Sequence, residues 1–452
     1  MKLRTFTCIA AMTLFAALAT TVRLAAQEQQ QQQSASPKHY RLTVLGTLGG
    51  TVSVAQGGVN NRGQLAGFSS LPGDTAFYAF LWQHGVMTDL GSLPGSSISS
   101  TFANPNEKGE VSGFLNTAVL DPNGEDFCFD GTHLICLGFL WRDGVMTAMP
   151  TLGGNNSFAY MLNNRNQVVG VAETPTTDAT CPAAYLEAKP VIWQDGTLQE
   201  LPLISGDTDG FGYGINDRGQ IVGATGACNQ SVPFSSFHAV LWPNGPNGGV
   251  IDLGNFGGTT LNVAFYINNQ GQIVGQAGVP GGANFHAFLW QKGVMTDMGT
   301  LPGDVQSWAN NINSKSQAAG TSFDALGNGR AFIWQNGVMT DLNTLIPAGS
   351  PLYLLEAFGI NDRGQISGYG VLSSGYVRGF LLNQCNEGED GCGDNAEDTA
   401  AATQNGPASV SQRTGTMTPP NPALSGRGIL DRFRARRFPW YSVPGPETGP
   451  AN

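Results

Sequence analysis

The residues best equipped for chemistry lie between 114 and 238. The stretch Asp121-Pro122-Asn123-Gly124-Glu125-Asp126, followed by Asp130, offers hard carboxylate oxygens of the kind that hold Ca²⁺. It lacks the 1-3-5-12 ligand spacing of a calcium loop and reads as a solvated acidic turn, so no cofactor is expected. Around it, Phe127, Phe129, Tyr185, Phe234 and Phe237 could stack on sugar rings or on a partner's side chains, with Asp126 and Asp130 as polar companions. The alternative is that these rings are the small cores of their own loops. Cysteines mark the same region: Cys128 and Cys136 in one insertion, then Cys181 and Cys228 in the next two. Their spacing suggests Cys128 with Cys136, Cys181 with Cys228 between adjacent loops, and Cys385 with Cys392 near the end of the patterned sequence.

For catalysis the chain offers little. It has no GxSxG elbow, no HExxH, no phosphate-binding glycine loop and no Cys/His metal spacing. The histidines number five: His39, His84, His133, His238 and His286. A glycosidase or lyase would need carboxylates converging from distant parts of the chain, and no linear pattern can show that.

Those candidates must be positioned by a scaffold, and the scaffold is repetitive. Tryptophans at 82, 141, 193, 242, 290 and 334 each sit in a phrase such as Ala287-Phe288-Leu289-Trp290-Gln291-Lys292-Gly293-Val294-Met295-Thr296-Asp297. Between them recurs Ile215-Asn216-Asp217-Arg218-Gly219-Gln220-Ile221-Val222-Gly223, giving a period of roughly 50 residues. In the second phrase Asn opens a type I turn and Gly closes it. In the first, pairs such as Lys292-Gly293 and Asn336-Gly337 make tight two-residue hairpins. Two hairpins give four short antiparallel strands per repeat, with no helical period anywhere. The expected fold is all-β: a seven-bladed β-propeller of four-stranded antiparallel blades.

The copies count to seven. Asn turns begin at Asn60, Asn106, Asn163, Asn216, Asn268, Asn313 and Asn361. No Val-Met-Thr-Asp-like strand follows Leu382, whereas Arg41-Leu42-Thr43-Val44-Leu45-Gly46 carries one ahead of the first complete blade. The N-terminal strand is therefore expected to complete the last blade, removing free sheet edges. Burial of the tryptophans between blades is expected to contribute roughly 2 to 3 kcal/mol each.

The phrases His286-Ala287-Phe288-Leu289-Trp290 and Ile267-Asn268-Asn269-Gln270-Gly271-Gln272-Ile273-Val274-Gly275 resemble the HAF repeat of bacterial extracellular repeat proteins, named for that His-Ala-Phe. The similarity covers roughly residues 40 to 383. It implies export and a repeat fold, and no activity. One copy spells the triplet in full; others read Tyr78-Ala79-Phe80 or Arg330-Ala331-Phe332.

The ends fit export. Residues 1–26 combine a basic start, an apolar run and small residues before Gln27, the pattern of a cleaved secretory signal. Residues 27–39 form a Gln-rich linker, 40–385 the propeller, and 386–452 a low-complexity tail expected to be disordered. Cleavage would take the formal charge from -11 to -14, which disfavours nucleic acid as a partner. No apolar stretch reaches the ~20 residues of a membrane span. In the connection between second and third strands, 114–137, 171–189 and 224–238 are longer than their counterparts. Equivalent connections share one face, so the three insertions should form one raised surface, the expected site for an extracellular carbohydrate or protein partner. The expectation is a secreted or periplasmic monomeric binding protein, with a propeller hydrolase or lyase acting on extracellular polysaccharide as the alternative.

Overall fold

The computed structural model describes residues 39–385, except 182–184, 230–231, 259–260 and 282–283. The expected signal, the expected linker up to residue 38 and the expected tail after 385 lie outside the described residues. Seven four-stranded antiparallel sheets make seven blades. Blade 5 is representative: Val263–Ile267, Ile273–Gly278, Phe285–Gln291 and Val294–Gly299, from the inner strand outward. Blade 7 takes its fourth strand from the N-terminus, since Tyr40–Val44 pairs with Val377–Gln384 in the register Tyr40↔Gln384 to Val44↔Phe380. The expected clasp is therefore present, and Tyr40 is buried in the core it closes.

Because successive strands reverse direction, the Asn turns and the Gly hairpins share one face, and the connections between second and third strands leave from the other. Repeated side-chain bonds between the two turn types confirm it: Gln64 to Gln83 at 3.2 Å, Gln167 to Gln194 at 2.9 Å, Gln317 to Gln335 at 2.9 Å.

The first asparagine of each Asn turn does more than make the turn. In Asn216 the side-chain oxygen accepts from the N–H groups of Arg218 and Gln220, while its Nδ2 donates to Gln220 Oε1 and to the carbonyl of Asn268 in the next blade. The cross-blade bond repeats at every junction: Asn60 to Asn106, Asn106 to Asn163, Asn163 to Asn216, Asn268 to Asn313, Asn313 to Asn361 and Asn361 back to Asn60. The amide uses both donors and its acceptor, which neither Asp nor Ser at that position could do. A closed ring of hydrogen bonds thus binds all seven blades around the axis.

The inner strands carry a β-bulge in five blades, with Tyr160, Tyr213, Phe265, Asn310 and Phe358 as the extra residues. In every blade, bulged or not, an inner-strand carbonyl lies close against the second strand. A Cβ on Gly67, Gly113, Gly170, Gly223, Gly275, Gly320 or Gly368 would overlap such a carbonyl oxygen, which explains the glycine ending each Ile-Val-Gly-like motif. Aromatic rings pack between neighbouring strands and blades: Phe114 and Phe158 lie 4.0 Å apart, Tyr160 and Tyr213 4.4 Å, Trp308 and Phe323 4.3 Å.

The tryptophan column packs at blade boundaries but unevenly. Trp242 is fully buried, and its indole N–H donates to Pro202 of the preceding blade at 2.6 Å. Trp82, Trp193 and Trp334 are buried as well. Trp141 and Trp290 are only partly so, which corrects the expectation of equal burial. Both pair across the hairpin with the outermost strand, Trp141 with Met146 and Trp290 with Met295.

Candidate functional site

All three insertions begin as prolonged strand pairs rather than free loops. Blade 2 extends Val111–Leu120 against Leu134–Arg142, and blade 4 extends Ile221–Asn229 against Val232–Trp242 with only 230–231 between them. In blade 3, Val168–Thr177 pairs with Leu186–Gln194.

This geometry decides where the expected site residues fall. Phe237 belongs to a strand, is 1% exposed and packs edge-on against Phe211 at 5.7 Å, so it is core and not surface. Phe127 is partly buried against the same cluster. Phe129 and Tyr185 are partly exposed on the insertion face. The side chain of Phe234 lies outside those described. Asp126 caps its own turn, accepting from the N–H groups of Asp130 and Gly131. Asp130 is buried and accepts from Asn116 and Thr132. These two carboxylates hold the loop together rather than face a ligand, and among the described residues no group of three or more His, Cys, Asp or Glu is placed to hold a metal ion.

The cysteines support a rigid insertion face. Cys128 and Cys136 form a disulfide within blade 2. Cys181 and Cys385 are disulfide-bonded too. The side chain of Cys228, and all of Cys392, lie outside the described residues.

Buried carboxyl pairs that sequence reasoning missed tie the blade 2 insertion to that of blade 3, and the blade 3 insertion to the inner strand of blade 4. Between blades 2 and 3, Glu125 accepts from Leu186 N at 2.9 Å and hydrogen-bonds Glu173. Asn156 bridges Glu173 Oε2 at 3.1 Å and Asp121 Oδ2 at 2.8 Å, and its own oxygen receives Cys136 N. Burial pushes Glu125 up to about 9, with the charge and hydrogen bond of Glu173 adding to the shift. Burial raises Glu173 as well, partly offset by hydrogen bonds from Glu125 and Asn156. The two carboxyls share a proton at neutral pH.

Between blades 3 and 4 the device recurs. The Thr208 hydroxyl lies 3.0 Å from Asp178 Oδ2 and 2.9 Å from Asp209 Oδ2, and Asp209 Oδ1 receives Ala188 N at 2.8 Å. Burial, with the hydrogen bond to Asp178 next, pushes Asp209 up to about 8. Burial opposes ionisation of Asp178, yet bonds from Asp209, Thr180 and Thr208 hold it below the ordinary carboxylate range. Asp209 stands where Asn156 accepts from Cys136 N in the preceding blade, one residue before the column of Ser53, Ser99, Ser157 and Ser307 that caps neighbouring third strands.

At the turn face the axis opens into a cavity of about 140 Å³ bordered by Glu107, Asp217 and Asp362. Their oxygens are occupied by the turn N–H groups of Asn61, Asn164 and Ser314 in neighbouring blades. Burial opposes ionisation of Asp217 and Asp362, and hydrogen bonds keep both below the usual carboxylate range. Two basic side chains on third strands are likewise paired internally: His286 meets Asp297 at 3.0 Å, and Arg330 meets Asp304 at 2.8 Å.

No protein-family model matches the chain, and no curated protein sequence does. The likeness to the HAF repeat therefore rests on the motif residues alone. Among solved structures, the chain is similar to a puromycin hydrolase (13% identity, TM-score 0.46, covering 74% of this chain and 52% of that one). It is also similar to an acylaminoacyl peptidase of Pyrococcus horikoshii (11%, TM-score 0.43, 70% and 50%) and to a polysaccharide lyase, an ulvan lyase (10%, TM-score 0.38, 76% and 94%). The chain spans about half the length of the two hydrolases. These likenesses assign no activity. The class is set by the strand pairing itself: a seven-bladed propeller whose blades 2 to 4 carry a braced insertion face.

Proposed function

We propose that this is an exported binding protein that recognises an extracellular carbohydrate or protein partner on the insertion face of blades 2 to 4. The observation that carries the reading is the bracing of that face. Two carboxyl pairs and the Cys128–Cys136 disulfide fix projecting hairpins that a mere length variation would leave loose. Rigid presentation lowers the ordering cost of binding. Val119 and Leu120 are exposed on the blade 2 hairpin, and Phe129 and Tyr185 are partly exposed on the insertions of blades 2 and 3, so the face offers apolar contact area. Export is supported by the N-terminal pattern and by the disulfides, and no helix among the described residues is long and apolar enough to cross a membrane.

One observation favours the second reading, a hydrolase or lyase. Glu125 retains a proton at neutral pH beside a second carboxyl, the pairing acid catalysis needs. Both groups are buried in a blade junction, which argues for bracing. Retention on a panel of polysaccharides and secreted proteins, with product release measured in parallel, separates the two. Binding without products, weakened at least ten-fold by Leu120→Ser and Tyr185→Ser, supports the first; turnover abolished by E125Q would establish the second.

A further inference from the structure

The turn face carries a charge pattern unlike the rest of the molecule. Two positions after each ring asparagine stand Arg62, Lys108, Arg165, Arg218, Lys315 and Arg363, with Gln270 in the remaining blade. All six cations are exposed. Among the described residues the other lysines and arginines are Arg41, Arg142, Lys189, Lys292, Arg330 and Arg378, so half of the positive charge sits on one ring. Acidic residues elsewhere outnumber cations.

The six are only partly offset: the charges of Arg165 and Lys315 help hold the Asp217 and Asp362 carboxyls below their ordinary range. None of the six is in an ion pair among the described residues. They lie forward onto the following blade: Arg62 donates to the Glu107 carbonyl, Lys108 to Asn166 Oδ1, and Arg165 lies where a Cβ on Gly219 would come within 2.7 Å. Glu107, Asp217 and Asp362 sit inside the ring, half-buried and occupied by backbone donors, and Asp143 and Asp195 lie in outer hairpins. Outside the cations the same face bears an apolar rim. Val86, Val145, Val294 and Val338, each following a Gly hairpin, are 62 to 65% exposed.

We propose that this turn face docks on an anionic membrane surface, its six-cation ring engaging lipid headgroups and its valine rim the outer edge of the bilayer interface. The shape selects the partner. Equivalent turn positions put the cations at one level around the axis, so a flat anionic surface can meet all six, whereas a linear polyanion would cross only those along a chord. Aliphatic side chains around the cations suit a bilayer and give a polyanion nothing. This surface is opposite to the insertion face, so docking would leave that face exposed.

The test is sedimentation of the full chain with vesicles of phosphatidylglycerol and phosphatidylcholine, and with phosphatidylcholine alone. A basic residue near an anionic bilayer contributes about 1 kcal/mol, so each Arg→Gln change should weaken partition about five-fold. Arg62→Gln, Arg165→Gln and Arg363→Gln together should lower it roughly a hundred-fold with an unchanged melting midpoint. Val145→Ser with Val294→Ser should weaken binding with no charge change. High salt should release the protein. Equal binding to neutral vesicles, an unaffected triple variant, or capture by soluble dextran sulfate but not by vesicles would each overturn the proposal.

Discussion

Raising pH should loosen the insertion face before anything else in the molecule. Burial pushes Glu125 up to about 9 and Asp209 up to about 8 in the folded state, whereas in the unfolded chain they would ionise at the ordinary carboxyl values of 4.5 and 3.8. Between those limits the native state binds more protons than the unfolded one, so stability is fully present at low pH and is lost as pH rises towards 8 to 9. Each such proton sets a slope of about 1.4 kcal/mol per pH unit, so two give at most about 2.7 kcal/mol per unit. The loss is capped once the hairpins of blades 2 to 4 open locally and hydrate the carboxylates. E125Q and D209N keep the oxygens that receive Leu186 N and Ala188 N and can still donate to Glu173 and Asp178, while removing the proton. Urea unfolding between pH 5 and pH 9, with hydrogen exchange of 114–137 and 171–189, measures both effects. The parent should weaken with pH, with exchange rising first in the insertions, and the double variant should be flatter. Parallel stability profiles for parent and variant would refute the shared-proton account.

Trp242→Ala should cost about 3 to 5 kcal/mol in the same assay, since it removes a fully buried ring and a bond to Pro202, while Trp290→Ala should cost clearly less. Asn216→Ala should cost about 3 kcal/mol, because it orphans turn N–H groups and the Asn268 carbonyl in a buried ring. Peptide mapping of exported, unreduced protein should recover Cys128 linked to Cys136 and Cys181 linked to Cys228, with no free thiol; Cys181 joined elsewhere would dissolve the proposed bridge between blades 3 and 4.

The sequence made the scaffold readable because its signals are local. Turn chemistry at Asn-x-x-Gly and x-Gly, repeated in phase, marks strands and blade number, and the strand missing after Leu382 reappears at Tyr40. What stayed hidden depends on contacts between blades. Glu125 meets Glu173, and Asp178 meets Asp209, across junctions that no linear spacing reveals. The asparagine ring was written in the sequence as sevenfold repetition of Asn where a turn would accept Asp or Ser, yet its role needs the next blade's carbonyl to be seen. Phe237 looked like a loop residue because nothing in its neighbourhood announces that the strand from Val232 begins so early.

The claim that function resides on the insertion face is tested most directly by a hydrogen-exchange footprint with a ligand recovered from the panel. Protection should concentrate in 114–137, 171–189 and 224–238, with the Asn turns unchanged. Protection confined to the turn face, or spread along the axis cavity at Glu107, Asp217 and Asp362, would contradict it.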